Sequence, residues 1–135
     1  MINGAVCLFA DQTGELEAMI DFHLVTKWKT VGDSLLAAKR LARADSKNIL
    51  IVGAGTVGRG VYAAFGAAFP NARFEIWNRP PAGAEAMAAD LRNLDNAPDL
   101  DRAVRVADII VWIKKNEQLF EAFEIWGSTN NIFFG

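Results

Sequence analysis

The apolar positions change period several times along the chain, and each change marks an expected element. Val6–Ala10 is a short apolar run, Asp11-Gln12-Thr13-Gly14 carries turn chemistry, and Leu16–Ile20 alternates apolar with polar residues. Together they predict a β-hairpin. Thr26 and Thr30 are candidate N-caps for a helix to about Ala44, in which Val31, Leu35, Ala38 and Leu41 or Ala42 recur at helical spacing. Asn48–Val52 is apolar on both faces, as a strand inside a parallel sheet must be. A helix is expected from the following glycines to about Phe69, with Val57, Val61, Phe65 and Ala68 on one face, and Pro70-Asn71-Ala72 ends it. Arg73–Trp77 reads as a second strand, and Pro80-Pro81 opens a helix over Ala82–Leu94. Asn96-Ala97-Pro98 reads as a loop, Leu100–Ala107 as a short helix, and Asp108–Val111 as a third strand. The order β-α-β-α-α-β from Asn48 predicts a parallel sheet of the α/β class. Beyond Val111 the pattern departs from this order. Lys114–Gln118 is polar, and Leu119–Trp126 has an amphipathic pattern in which Phe120, Phe123 and Trp126 form a packing face.

The candidate chemistry gathers where the apolar strand meets the glycines. Gly53-Ala54-Gly55-Thr56-Val57-Gly58 follows a strand and opens an amphipathic helix, the context that gives a GxGxxG spacing its meaning. Gly53 allows the tight turn, Gly55 lets a pyrophosphate approach the backbone, and Gly58 lets the helix pack on the strand. The helix N-terminus offers N–H groups and partial positive charge to phosphate, and Thr56 adds a hydroxyl. A ligand-free strand-to-helix turn would use similar glycines; the flanking elements favour the nucleotide. At the end of the second strand stands Asn78-Arg79, where an NAD site usually carries an acid for the ribose 2′-hydroxyl. With no carboxylate to repel a 2′-phosphate and a guanidinium to receive it, NADP(H) is expected over NAD(H); an exposed arginine with no ligand is the plainer alternative.

Composition narrows the class. The chain has 135 residues, 52% hydrophobic and 22% charged, with a net charge of −2. That is enough apolar material for a packed core, and it lacks the basic stripe of a nucleic-acid binder. The one cysteine, Cys7, excludes an internal disulfide; it is expected as a buried thiol, and cytoplasmic residence fits. No apolar run is long enough to span a bilayer, so no membrane partner is expected. The one histidine, His23, reads as a structural residue at a strand-to-helix turn, and no zinc set is present. Lys27 and Lys29 flank Trp28 as a basic pair, and Asp33 reads as a general base or as an early-helix acid.

Several runs together resemble the ornithine cyclodeaminase/μ-crystallin family. They are Gly14–Asp21, Leu24–Thr30 (L-V-T-K-W-K-T), Leu36–Arg43 (L-A-A-K-R-L-A-R), Ile51–Gly55 and Val104–Ile110 (V-R-V-A-D-I-I). The resemblance covers roughly residues 3 to 110. It implies a partial Rossmann-type sheet, preceded by a β-hairpin and helix from the substrate/dimerisation part. The corresponding expected division is 1–46, 47–111 as a partial NAD(P)-binding domain, and 112–135 as an atypical tail. It also implies hydride transfer at the α-carbon of a small amino or imino acid, and a homodimer in the intact family member. Where the family carries a carboxylate-binding arginine before a threonine, this sequence has Lys29 followed by Thr30; the resemblance makes these the substrate-binding pair. Gly53, Gly55, Thr56, Val57, Gly58, Asn78 and Arg79 are the corresponding cofactor residues. The family's catalytic lysine, ahead of the hairpin, and its catalytic aspartate, beyond the third strand, match no residue here. The chain is therefore expected to be an internal fragment, inactive alone. It would be either a remnant that binds NADP(H) without turnover or an interaction and dimerisation module.

Overall fold

The computed structural model describes residues 4–113 and the backbone of 132–134. The hairpin forms as expected: β1 (Ala5–Phe9) pairs antiparallel with β2 (Leu16–Asp21). Gly14, at φ +70°, takes the left-handed position its turn requires, and its N–H donates to the Ala10 carbonyl. Cys7 is exposed on this hairpin, not buried as its apolar neighbours led one to expect, because the two-stranded ribbon has no layer packed over that position.

Helix α1 runs over Phe22–Leu41, starting earlier than either threonine. Asp21 is the cap: its carboxylate accepts from the His23 and Leu24 N–H groups at 2.8 and 3.1 Å. A carboxylate at the N-cap satisfies two orphan donors and complements the helix dipole, so the hairpin passes directly into helix. His23 consequently lies in the first helical turn, with Nδ1 3.7 Å from Asp21. Val31 and Ala38 are buried as expected and Leu35 is partly so, but Leu41 is 65% exposed because the helix ends there.

Five parallel strands form the sheet in the order β5-β4-β3-β6-β7: β3 (Asn48–Val52), β4 (Arg73–Trp77), β5 (Leu94–Asn96), β6 (Ile109–Trp112) and β7 (Ile132–Phe134). Between them lie α2 (Thr56–Ala68), α3 (Pro81–Asp90) and α4 (Leu100–Val106). Two sequence expectations are corrected. The helix expected to reach Leu94 stops at Asp90, and Leu94–Asn96, read as a helix end and a loop, is a strand on β4. Asn93, at φ +60°, makes the reversal between them. The third strand begins at Ile109 and runs through Trp112, and β7 extends the sheet beyond it. The expected helix over Leu119–Trp126, with Phe120, Phe123 and Trp126, lies outside the described residues. No helix among the described residues is long and apolar enough to cross a membrane.

Side-chain alternation divides the core into two layers. Ile49, Ile51, Phe74, Ile76, Ile109 and Val111 face the helices that supply Val31, Ala38, Val61, Phe65, Ala84 and Met87. Leu50, Val52, Ile110 and Trp112 face Ala103, Val104 and Ala107 beside α4. Helix α1 docks on α2 at Gly60, where a β-carbon would stand 3.0 Å from Lys27 Cε and Val31 Cγ2.

Asp108 locks the lower edge of β3 to β6. Its carboxylate accepts from the backbone N–H groups of Lys47 and Asn48, both at 2.9 Å, from Asn48 Nδ2 and from Arg43 Nη2, both at 3.2 Å. Its own N–H donates to the Asn48 carbonyl at 2.8 Å. Asp108→Ala strands these donors and is expected to lower unfolding stability by about 2–4 kcal/mol, since hydrogen bonds to a charged group are worth ~1.5–3 kcal/mol each. Asp108→Asn, which keeps part of the acceptor set, is expected to cost less; urea unfolding curves of the two variants check the order.

Candidate functional site

The turn from β3 into α2 brings three glycines together for three different reasons. Gly53 sits at φ +124°, a conformation that side chains rarely adopt, and its N–H donates to the Trp77 carbonyl at 2.9 Å. A β-carbon on Gly58 would lie 2.1 Å from the Gly53 carbonyl oxygen, so the helix reaches this position only without a side chain. Gly55 is the opposite case. It is exposed, has φ −86°, and a β-carbon there would meet no atom within 4 Å. The backbone would tolerate a side chain at Gly55, and the space in front of it is open.

Gly55 is also the N-cap of α2, and it provides no side-chain acceptor for the first-turn N–H groups. No acidic residue stands in that turn. Thr56 is exposed, Val57 half-buried and Gly58 buried. The first internal bond, Arg59 N–H to the Gly55 carbonyl, forms at 3.1 Å. An uncapped helix N-terminus behind an open glycine is a cradle for an anion, with the dipole and the backbone donors directed to one place. These features fit the pyrophosphate of a dinucleotide. Ile113 covers the other side of the turn, with Cβ 3.3 Å from the position a Gly53 β-carbon would take.

Asn78, at the end of β4, joins this cluster by a route that sequence reasoning did not foresee. Its Oδ1 accepts from Ala54 N–H at 3.2 Å, and its Nδ2 donates to the Pro80 carbonyl at 2.9 Å. The amide therefore ties the glycine turn to the start of α3. Arg79, next in sequence, is exposed. The Asn78 oxygen two dozen residues from Ala54 gives no sequence pattern that reveals the bond.

The expected substrate pair is carried by α1. Lys29 and Thr30 are in the second and third turns of α1, not at a helix start. Lys29 is exposed, its Nζ 3.9 Å from Asp33, and the Thr30 carbonyl accepts from Ser34 Oγ at 2.9 Å. The residue of this stretch that reaches α2 is Lys27, whose Nζ also sits 4.6 Å from the centre of the Trp28 ring. Thus the described structure gathers Gly53, Gly55, Thr56, Val57, Gly58 and Asn78 around one turn, while Lys29 is exposed on α1 beside Asp33.

A cavity of about 270 Å³ opens at the opposite end of the strands, lined by Asn48, Arg73, Glu75, Asp95 and Arg102 among others. Arg102 bonds Glu75 there, which holds the guanidinium even further into its charged range. Size does not make this the dinucleotide site: ligands of open α/β sheets bind at the carboxyl ends of the strands, where the glycine turn lies. The other displaced group is the exposed Asp45, whose hydrogen bond to Arg43 keeps its carboxyl below the usual range.

Comparison with known proteins places this geometry. The family model of the ornithine cyclodeaminase/mu-crystallin family matches residues 3–122. A Delta(1)-pyrroline-2-carboxylate reductase of Paracoccus denitrificans is 40% identical over 114 residues, covering 81% of this chain and 36% of that protein. The ketimine reductase mu-crystallin of Mus musculus is 29% identical over 110 residues, covering 81% and 35%. Among solved structures, the iminosuccinate reductase of Paracoccus denitrificans in complex with NAD+ superposes with a TM-score of 0.72 at 29% identity, covering 83% of this chain and 36% of that one. The chain thus spans about a third of the length of these relatives.

The two glycines that bracket the cradle should respond oppositely. Gly55→Val is expected to abolish dinucleotide binding while leaving the melting temperature within about 2 °C of the parent, a shift that corresponds to under 1 kcal/mol in a domain of this size. Gly58→Ala is expected to lower the melting temperature as well, because its β-carbon meets the Gly53 carbonyl. Thermal unfolding beside a fluorescence titration with NADPH separates the two. A Gly55→Val chain that binds normally would move the ligand to another part of the molecule.

Proposed function

The chain belongs to the ornithine cyclodeaminase/mu-crystallin family, and we propose that it supplies the dinucleotide-binding half of an NAD(P)-dependent enzyme acting on a small amino or imino acid. The observation that carries this reading is the cradle itself: an open Gly55, at the uncapped N-terminus of α2, held against β3 by a glycine that no side chain can replace. The relatives named above are reductases, all three named for imine substrates, which supports the substrate class. A nicotinamide dinucleotide supplies the hydride in such chemistry. This chain's part is to fix the pyrophosphate on the first-turn N–H groups of α2 and the adenosine end beside β4. Lys29 is the proposed carboxylate anchor, acting as a point charge and not as a bidentate fork, with Thr30 beside it.

We assign the preference for NADP(H) to Arg79. Asn78 is engaged in holding the turn, so the attraction for a 2′-phosphate falls to the exposed guanidinium next to it, with no carboxylate at the end of β4 to repel the ligand. The Paracoccus relative is seen with NAD+, so the choice rests on these residues of this chain. NADPH is expected to bind more tightly than NADH, and Arg79→Ala to weaken NADPH by about 1.5–3 kcal/mol, the worth of a charge-assisted contact, with NADH nearly unchanged. Parallel titrations with both cofactors are the check; NADH binding as tight as NADPH would remove the role assigned to Arg79.

A second reading, binding with little turnover by these 135 residues alone, is favoured by the share of the relatives that the chain spans. Holding a substrate against the nicotinamide is worth ~7–11 kcal/mol of barrier. Assayed with NADPH and Delta(1)-pyrroline-2-carboxylate, the chain is expected to stay well below the ordinary enzymatic range of ~1–10³ s⁻¹. Turnover within that range would show that the 135 residues complete a working site.

A further inference from the structure

Gly83 lies outside the glycine turn, in the first turn of α3, yet among the described glycines outside that turn it has the least room. A β-carbon there would stand 2.8 Å from Asn78 Nδ2 and 3.5 Å from the Ala54 β-carbon. The far end of a flexible side chain could swing aside. Asn78 cannot do so freely, because its amide is bonded at both ends, to Ala54 N–H through Oδ1 and to the Pro80 carbonyl through Nδ2. The Pro80 carbonyl also accepts from the Gly83 N–H at 3.1 Å. One amide and one missing side chain therefore set the distance between the start of α3 and the middle residue of the nucleotide turn.

We infer that Gly83 and Asn78 form a coupled pair of positioning residues, which holds Ala54, and with it the open backbone at Gly55, in register for the pyrophosphate. The inference rests on the dinucleotide reading given above and adds Gly83, which lies outside the glycine turn, as the partner that holds Asn78 in place. Its physical content is a sign. Within a helix, glycine to alanine ordinarily stabilises, since glycine is the poorer helix former. Here the added methyl group has to displace Asn78 Nδ2, which breaks one of its two bonds or shifts the turn.

The pair is tested with Gly83→Ala, Asn78→Ala and the double variant, each in the full chain. Two quantities are read: NADPH affinity by fluorescence titration, and exchange of the Ala54 amide hydrogen without ligand. Gly83→Ala is expected to weaken NADPH about tenfold and to speed Ala54 exchange, at an unchanged or raised melting temperature. Asn78→Ala is expected to do the same to affinity and exchange. The double variant is expected to be no worse than Asn78→Ala, since the tight contact with Asn78 Nδ2 is then gone and the 3.5 Å approach to the Ala54 β-carbon is an ordinary one; residues that act as one unit give non-additive cycles. Additive effects, or Gly83→Ala with parental affinity and parental Ala54 exchange, would overturn the inference while leaving dinucleotide binding intact. A parent chain that binds no NADPH would instead overturn the reading beneath it, and Ala54 exchange would still judge whether the pair holds the turn.

Discussion

The first turn of α2 approaches the end of β3 so closely that a β-carbon on Gly58 would stand 2.1 Å from the Gly53 carbonyl oxygen. Much of the site depends on this approach. It requires Gly53 to turn the chain at φ +124°, brings the open end of the helix dipole directly behind Gly55, and puts Ala54 within reach of Asn78. Such an arrangement is costly in a chain that uses it for packing alone, because glycines weaken helices and leave N–H groups without partners. The cost is offset when an anion takes those donors. The tightness at Gly58 and the openness at Gly55 are thus two halves of one device.

Around it the sheet provides rigidity. Strand β3 is the central strand, with β4 and β6 on its two sides and buried layers on both faces. Asp108 fastens its lower end, and the Trp77 carbonyl and Asn78 side chain fasten the turn at its upper end. Strand β3 is therefore held at both ends by groups that lie far from it in sequence. Helix α1 crosses α2 closely at Gly60 and supplies Val31 and Ala38 to the buried layer on that face, while the hairpin pairs only with itself and forms a separate two-stranded sheet.

What could be read from the chain follows from how local each cause is. The strands Asn48–Val52 and Arg73–Trp77 and the helix α2 announce themselves through periodicity, and the three glycines through spacing, because each depends on its immediate neighbours. The start of α1 is hidden in the sequence because Asp21 ends an alternating strand pattern and caps a helix at once. Leu94–Asn96 is too short to carry a period of its own, and only its pairing with β4 makes it a strand. The exposure of Cys7 depends on what fails to cover a hairpin, and the engagement of Asn78 depends on a partner brought close by folding. Neither leaves a mark in the sequence. The proposed roles of Lys29 and Thr30 come from resemblance, and in the described structure Lys29 is exposed beside Asp33 on α1.

The central claim is that the cradle at Gly55, and not the cavity at the opposite end of the sheet, receives a dinucleotide. Backbone amide chemical shifts, followed during addition of NADPH to the full chain, test it most directly. The account predicts that the largest changes fall on Ala54, Gly55, Thr56, Val57 and Gly58, with smaller ones at Asn78 and Arg79 and none at Asn48, Arg73, Asp95 or Arg102. Changes concentrated on the latter group, with the glycine amides unmoved, would contradict it.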